Sequence, residues 1–462
     1  MVVLPENLAL ASVLKQRCQR LGQIMDRPAI FWSGRAPARN YPGSPYAFRA
    51  NSHFLYLAGL PLENAAIRIE GNKLELYLDE GGPSAALWHG ETPGRDAIAE
   101  AIGADAAFAL SDLVSKTQDA ATIAVQDSYT REQQAKLLGR PILASRGLSE
   151  IDLKLANAMI ELRLYHDELA IAQIREALAT TVAAHKAGMA ATPRAKRESQ
   201  VRAVIEGVMV AEDVSPAYGS IVTVHGEVLH NEQYHHAITP GDLLLVDAGA
   251  ESSMGWSSDI TRTWPTSGRF SATQRDVYEV VLAAHDRCIA AMAPGVEYRD
   301  IHLLAAQVFA EGLVDLGVLM GKPEDLVAQD AHALFFPHGI GHLLGLDVHD
   351  MEDLGDLAGY AEGRKRSKRF GLGYLRLDRI LQSGMITTIE PGFYQVPAIL
   401  HDPANREKYK KMVNWEKLAQ YADVRGIRIE DDILVTDQGS EVLSAALPCD
   451  VSSIEQLVLA GV

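Results

Sequence analysis

The first part of the chain alternates short apolar runs with turns, and some segments repeat apolar residues at helical spacing. The predicted strands are residues 67–69, 74–78 and 122–125, and the predicted helices are residues 95–101 and 131–138. Short strands mixed with short helices predict an α/β domain of modest size, which we assign to residues 1–155.

The hydrophobic pattern changes after residue 148. Ser149 is a suitable N-cap for a helix that reaches residue 164, and Asp167 opens a longer helical pattern that runs to Gly188. No Pro/Gly/Ser-rich stretch intervenes, so we expect a helical junction near residues 150–166 instead of a flexible linker.

The remaining chain, residues 156–462, does not alternate strands and helices strictly. This favours an α+β domain over a doubly wound parallel sheet. The predicted elements are helices at 273–292 and 298–316 and strands at 243–247, 385–390 and 427–435.

Composition narrows the class of protein. The 462 residues carry a formal charge of −17, and a diffuse acidic surface repels phosphate, so nucleic acid is not expected as a partner. The three cysteines lie far apart and predict neither a disulfide framework nor a thiolate metal site. With no signal-peptide pattern and no apolar window of roughly 18 residues, we expect a cytoplasmic protein without a membrane partner.

The basic run at residues 364–369 is expected to be a solvated loop, with an intersubunit contact or an anion site as alternatives.

Two acids interrupt apolar strand patterns. Asp247 ends the run DLLLVD, and Asp259 begins DITRTW after a turn-like stretch. A buried carboxylate is costly unless it is paired or metal-bound. Two strands joined in this way can bring both acids together, where a divalent cation would compensate their repulsion.

A second group of polar residues follows the same logic. His338 and His342 in HGIGH share a face, and the glycines disfavour a helix and permit close approach of a ligand or the backbone. Glu390 in TTIEPG and Glu430 in GIRIEDD each end a β-branched run. Taken singly, each signal is more often structural, but four in one domain would need four separate explanations. An oxygen-rich set with one histidine suits Mn²⁺ or Co²⁺ better than structural zinc, and its four carboxylates suit two ions.

The ordered segments DAGA…SDITRTWP, HGIGHLLGLDVHD, TIEPGFY and GIRIEDD resemble the pita-bread peptidase family, which contains aminopeptidase P, prolidase, creatinase and methionine aminopeptidase. Residues 48–60 and 86–113 resemble the domain that precedes the catalytic one in aminopeptidase P and prolidase. The resemblance implies a pita-bread catalytic domain with two divalent ions, Mn²⁺ first and Co²⁺ or Zn²⁺ as alternatives. It also implies a homodimer or homotetramer. The implied metal ligands are Asp247, Asp259, His342, Glu390 and Glu430.

The resemblance also implies roles around these ligands. Glu390 would carry the proton to the leaving nitrogen. The implied active-site histidines are His230, His338 and His349, with His338 in a supporting or substrate-facing position. The substrate-binding candidates are Tyr218, Tyr394, Arg376 and Arg428. For Arg428 the alternative is a structural salt bridge with Glu430, and for Tyr394 the alternative is a core position.

The implied activity is hydrolysis of the bond between an N-terminal residue and proline in a small peptide. Two alternatives stay open: a prolidase restricted to dipeptides, and a non-catalytic peptide-binding module, which the complete ligand set disfavours. The long span between Glu390 and Glu430, together with Arg376, looks more like prolidase. The segment from Tyr218 to His230 is about two residues shorter than the family pattern and carries His225 where small residues are usual. The span from Asp247 to Asp259 is one residue longer than that pattern.

Overall fold

The computed structural model describes residues 8–82, 86–88 and 90–461. The described chain forms two compact units. The first ends at Leu169 and includes Met351–Ala358, and the second comprises Ala170–Asp350 and Gly359–Val462.

The first unit is built on a five-stranded mixed sheet in the order β4-β3-β2-β1-β5. The three central strands are antiparallel, and the two edge strands each pair in parallel. The strands are β1 (Ala29–Trp32), β2 (Ala66–Glu70), β3 (Lys73–Tyr77), β4 (Ala106–Phe108) and β5 (Ala121–Thr122). The helices are α1 (Leu8–Ile24), α2 (Ser52–Ala58), α3 (Arg95–Ile102), α4 (Ser128–Leu138) and α5 (Glu150–Arg163), with a 3₁₀ turn at Leu110–Lys116.

Most of the elements predicted for this unit are confirmed, including both helices and the strands at 67–69 and 74–78. The strand predicted at 122–125 is shorter, because it ends at Thr122. The Gln134 side chain accepts a hydrogen bond from Val125 N and donates one to Ile123 O, so these backbone groups are satisfied without a partner strand.

The helical junction is also confirmed. The Ser149 hydroxyl accepts a hydrogen bond from Asp152 N at 3.3 Å and caps α5. Helix α6 (Glu168–Ala191) begins five residues after α5 ends at Arg163. A capped helix followed at once by another helix leaves no room for an extended linker.

The second unit holds antiparallel sheets surrounded by helices, as the α+β prediction required. Its three-stranded sheets have the orders β10-β8-β7 and β11-β14-β15, and two further pairs are β12-β13 and β6-β9. The strands are β6 (Ser215–Pro216), β7 (Ile221–Thr223), β8 (Leu243–Ala248), β9 (Ala250–Glu251), β10 (Ile260–Pro265), β11 (Ile386–Ile389), β12 (Gly392–Tyr394), β13 (Gly426–Arg428), β14 (Asp431–Thr436) and β15 (Gly439–Val442). The helices of this unit after α6 are α7 (Glu198–Ala211), α8 (Ala272–Ala291), α9 (Tyr298–Asp315), α10 (Pro323–Ala328), α12 (Pro397–Leu400), α13 (Pro403–Lys408), α14 (Trp415–Ala419) and α15 (Val451–Leu459), with 3₁₀ turns at Thr192–Arg194 and Ala331–Leu334. The 3₁₀ turn at Glu352–Leu354 and all but the last residue of α11 (Asp356–Gly359) belong to the first unit.

One predicted strand, residues 427–435, is two strands. The first half, β13, pairs with β12, whereas β14 pairs with β11 and β15. The chain changes partners at Glu430, which makes a single antiparallel bridge to Thr261 on β10. No local pattern reveals this break, because it is set by which strands lie on either side.

The basic run at residues 364–369 is bound within its own unit. Arg364 pairs with Glu297 and with Asp378, each at 2.8 Å, and Arg369 pairs with Asp330. These arginines therefore neutralise nearby acids.

No helix in the described part of the chain is both long enough and apolar enough to cross a bilayer.

Two glycines of the second unit approach each other backbone to backbone. A Cβ added to Gly426 would lie 2.2 Å from Gly226 O, and one added to Gly226 would lie 2.8 Å from Gly426 O. Neither obstacle is a side chain that could rotate away. The contact fixes the loop that carries His225 and His230 against the start of β13.

We expect Gly426→Ala to destabilise the protein by about 1–3 kcal/mol, the usual cost of overpacking, and to lower the melting temperature measured by calorimetry. The matched control is Gly207→Ala on helix α7, where no atom lies within 4 Å of an added Cβ. That change should stabilise the helix by up to about 1 kcal/mol. Equal melting temperatures for the two variants would contradict the close approach.

Candidate active site

The pairing of β8 with β10 places two of the predicted ligands on one face. Asp247 lies opposite Thr261, and Asp259 is two residues before Thr261, so both acids point to the same side. Glu430 joins them from the other edge of β10, where its N–H donates to Thr261 O at 3.0 Å. Three acids that are distant in sequence thus meet on neighbouring strands.

Pairing between neighbouring strands also places the remaining two predicted ligands, Glu390 and His342. Continuing the β11–β14 pairing by one residue brings Glu390 opposite Glu430. The HGIGH segment runs alongside β11 in an extended conformation, and Thr388 N donates to His342 O at 2.9 Å. Gly341 permits this approach, since a Cβ there would lie 2.2 Å from Thr388 O and its φ is +159°. The prediction that this segment is not helical is confirmed.

His342 is aimed at the acids. Its Nε2 atom lies 3.4 Å from Asp259 Oδ2, 3.8 Å from Glu430 Oε1 and 3.9 Å from Glu390 Oε1. Its Nδ1 faces Leu343 O at 3.0 Å, which fixes the ring with Nε2 toward the carboxylates. Among the described residues, the buried Glu430 Oε1 has no hydrogen-bond partner. Ligand atoms of Asp259, His342 and Glu430 all lie within 4.8 Å of one another, which fits a cation held between them.

Asp247 occupies the other side of the group. Arg428 Nη2 donates to its Oδ2 at 2.6 Å, and the Tyr218 hydroxyl lies 2.6 Å from its Oδ1. The same hydroxyl also contacts Asp259 Oδ1. The Tyr218 hydroxyl therefore lies between the two carboxylates.

The pKa directions of the four acids indicate that most of their negative charges lack a positive partner. Burial first, and then the neighbouring Asp247, raises the pKa of Asp259 well above its usual range. Burial, and then the neighbouring Glu430, raises the pKa of Glu390. Burial, and then the neighbouring Asp259, raises the pKa of Glu430. Burial also acts on Asp247, but Arg428 and Tyr218 outweigh it and lower the pKa. Three acids that favour protons in a buried site are suited to divalent cations, which would replace those protons.

Arg428 is placed differently from the predicted substrate clamp. The side chain is buried, and it donates from Nε to Thr261 Oγ1 at 3.1 Å and from Nη1 to Tyr394 Oη at 2.9 Å, in addition to its bond to Asp247. The alternative salt bridge with Glu430 is not its main contact either, because Nε stays 4.0 Å from Glu430 Oε2. The guanidinium supports Asp247 from behind, so the clamp prediction is corrected for this residue.

Tyr394 is a core residue with a satisfied hydroxyl, which was the alternative to a substrate contact. It is fully buried, its Oη accepts from Arg428 Nη1, and its O–H donates to His338 Nε2 at 2.9 Å. His338 in turn donates from Nδ1 to Gly339 O at 2.7 Å. His338 thus ends a hydrogen-bond chain that runs through Tyr394 to Arg428.

Three further predicted residues lie near the acids and His342. The His349 ring stands nearly perpendicular to that of His342, with 4.3 Å between centroids. His230 is exposed, and its pKa is lowered first by partial burial and then by Arg428, with further contributions from Arg376 and His349. The charge of Arg376 also lowers the pKa of Glu390.

Sequence reasoning missed two residues that hold the ligands. The Thr261 hydroxyl donates to Glu430 Oε2 at 2.7 Å, and Asp432 Oδ2 accepts a hydrogen bond from Asp259 N at 3.0 Å. Each lies two residues after a predicted ligand in a strand, so the period-2 rule could have identified both.

A buried group of acids with one aimed histidine on adjoining strands defines a candidate metal centre of a hydrolase. Comparison with known proteins shows to which family this centre belongs. Residues 172–437 match the model of metallopeptidase family M24, and residues 14–126 match the aminopeptidase P N-terminal domain.

Individual proteins agree with these family matches. The chain is 32% identical over 418 residues to a probable Xaa-Pro aminopeptidase of Pyrenophora tritici-repentis, covering 89% of this chain and 87% of the relative. Aminopeptidase P from E. coli, solved with the inhibitor Pro-Leu, superposes with a TM-score of 0.79 at 27% identity and 98% coverage of both chains. Aminopeptidase PepP of Pseudomonas aeruginosa gives 0.78 at 29% identity, covering 100% and 99%.

The chain belongs to metallopeptidase family M24 and carries an aminopeptidase P N-terminal domain. It is a metal-dependent peptidase, as the carboxylate pattern and the resemblance predicted.

We expect Thr261→Val to weaken metal binding about 10- to 100-fold in calorimetric titration, because it removes the hydrogen bond that orients Glu430. Thr263→Val is the matched control: this threonine is buried on the same face of β10, but its hydroxyl donates to Arg428 O at 3.0 Å and touches no acid. Both variants should lose similar thermal stability. Equal metal affinity in the two would show that Thr261 has no part in holding the centre.

Proposed function

We propose that this protein is an Xaa-Pro aminopeptidase with two divalent cations of the Mn²⁺ class, and that Co²⁺ or Zn²⁺ can substitute. The observation that carries the proposal is the convergence of His342 Nε2 with the buried Asp259 and Glu430 and the half-buried Glu390. The specificity for proline is supported by the names of the relatives. The residues proposed as ligands are Asp247, Asp259, His342, Glu390 and Glu430.

The number of cations follows from the spread of the donors. Asp259, His342 and Glu430 form one group of donors within 4.8 Å. Asp247 lies on the far side of Asp259, and the Tyr218 hydroxyl contacts both carboxylates. Four carboxylates exceed what one ion usually takes, so Asp247, Asp259, Glu390 and Glu430 together with His342 would hold two ions. Tyr218 would then hold Asp247 and Asp259 in position.

When bound, the cations supply Lewis acidity that makes water a competent nucleophile at neutral pH. Glu390 accepts a proton from that water and delivers it to the proline nitrogen, which must be protonated before it leaves. His349 and His230 donate hydrogen bonds to the carbonyl oxygen that precedes proline, and so stabilise the negative charge that develops there. The Arg428–Tyr394–His338 chain keeps Asp247 in place.

Proline selectivity has a physical reason. The proline nitrogen has no N–H, so peptidases that bind that group lose a contact, whereas a site that reads the ring shape does not. Arg376 remains as the candidate for a carboxylate clamp, since Arg428 is buried against Asp247. A guanidinium pairs well with a peptide carboxylate.

We also propose the arrangement around this site. Residues 1–155 form the N-terminal domain and residues 156–462 the catalytic domain, which is supported by the two family matches at 14–126 and 172–437. A homodimer or homotetramer is proposed from the family resemblance, and a small peptide with proline in second position is the proposed substrate.

The role of Glu390 can be tested with Glu390→Gln, which keeps the shape of the side chain and removes its charge. We expect kcat/KM for an Xaa-Pro-Yaa tripeptide to fall on the order of 10²–10⁴-fold, because no group remains to move the proton. Glu279→Gln, on the exposed face of α8, is the control and should leave activity unchanged. More than a few per cent of residual activity in Glu390→Gln would contradict the assignment.

Substrate length separates the aminopeptidase from the dipeptidase. We expect the Mn²⁺-loaded protein to release the first residue from Xaa-Pro-Yaa at least as fast as from Xaa-Pro, and to leave Xaa-Ala-Yaa uncleaved. A chelator should abolish turnover, and added Mn²⁺ should restore it. Hydrolysis of dipeptides alone would favour prolidase, and no metal-dependent cleavage of either substrate would overturn the proposal.

A further inference from the structure

A second group of potential metal ligands lies behind the strand that carries Glu430. It consists of His285 on α8, Asp431 at the start of β14, and Cys449, which precedes α15 by two residues. One ligand atom from each lies within 4.8 Å of the other two. His285 and Asp431 are buried, and Cys449 is half-buried, so the group is accessible from the thiol side.

His285 is oriented as a metal-bound histidine usually is. Its Nδ1 faces Asp286 Oδ1 at 3.0 Å, and its Nε2 points inward, 3.0 Å from Asp431 Oδ2. With the ring protonated this contact is an ion pair, and a cation bound between His285 and Asp431 would take the place of that proton. A carboxylate on one ring nitrogen commonly fixes the other nitrogen toward a metal ion.

Asp431 has one oxygen available for the same ligand. Its Oδ1 accepts hydrogen bonds from Arg262 Nη2 at 2.8 Å and from the Ser444 hydroxyl. Its Oδ2 is left facing His285. The loop with Cys449 is held in place, because Tyr278 Oη donates to Cys449 O at 2.7 Å.

A divalent cation at this position would face the negative charges of Asp431 and a Cys449 thiolate, and the Arg262 guanidinium binds the other oxygen of Asp431. Arg262 also donates to Thr261 O, Glu430 O, Leu447 O and Pro448 O, so it is a fixed part of the wall and does not compete as a mobile cation.

We propose that His285, Asp431 and Cys449 bind one thiophilic divalent cation of the Zn²⁺ class, with water in the fourth position. On binding, the Cys449 thiol releases its proton to solvent and forms a sulfur–metal bond, with no change of oxidation state. This site is separate from the catalytic cations and does not depend on their assignment. The spacing of the cysteines predicted no thiolate site, because the three ligands come from segments far apart in sequence.

Cobalt provides a readout specific to this site. The catalytic ligands contain no sulfur, so thiolate-to-Co²⁺ charge-transfer absorption reports only on a cysteine ligand. On titrating the full chain with Co²⁺, we expect this band to saturate when one Co²⁺ is bound at the thiol in addition to the Co²⁺ bound by the catalytic ligands, and to disappear when Zn²⁺ is added. Cys449→Ser should abolish the band. Cys288→Ser, on the same helix as His285, should retain it, since the Cys288 thiol is buried against Ile301 O.

A second variant separates ligand loss from misfolding. Asp286 is exposed, and Asp286→Asn should weaken Co²⁺ binding at the thiol site about 10- to 100-fold without lowering the melting temperature. The proposal is overturned if bound Co²⁺ gives no thiolate band, or if the band persists in Cys449→Ser. A thiolate band from a protein without peptidase activity would support this site and count only against the catalytic proposal.

Discussion

The repulsion among buried carboxylates is the constraint around which the catalytic unit is organised. Asp247, Asp259, Glu390 and Glu430 converge from different strands, and each would be costly to ionise in isolation. The guanidinium of Arg428 pairs with Asp247. The other three acids keep raised pKa values, so their ionisation depends on a ligand that brings positive charge. This division explains why one acid is bound tightly by protein and the others face one another.

Hydrogen bonds hold the acids that have no positively charged partner in position. The Thr261 hydroxyl donates to Glu430 and accepts from Arg428 Nε, so one side chain orients both an acid and the guanidinium. Asp432 accepts from Asp259 N, which fixes the backbone at the start of β10. Ligand geometry therefore rests on residues that are not themselves ligands, as is usual for metal sites.

The acids of this site could be found from sequence because each violates the expected pattern of its strand. Asp247 and Glu430 stand in apolar or β-branched runs, and that signal is local. Their mutual placement is not local. The single bridge between Thr261 and Glu430 divides a predicted continuous strand into β13 and β14, and nothing within residues 427–435 reveals the partner. Arg428 illustrates the same limit: its charge was visible, but whether it met a peptide or Asp247 depended on packing across two strands. The strand predicted at residues 122–125 is shorter than expected for a related reason, since a side chain from the next helix satisfies the backbone after Thr122.

The break at Glu430 also explains how one strand end serves two chemically different environments. Successive side chains in an extended segment point to opposite faces, so Glu430 faces His342 while Asp431 faces His285 and Cys449. Arg262 ties the two faces together, because it donates to the Glu430 backbone carbonyl at 2.7 Å and to the Asp431 side chain at 2.8 Å. A displacement of Asp431 would therefore strain the same guanidinium that holds Glu430. The position of the catalytic acid is thus determined from both sides of the sheet, by Thr261 on one face and by Arg262 on the other.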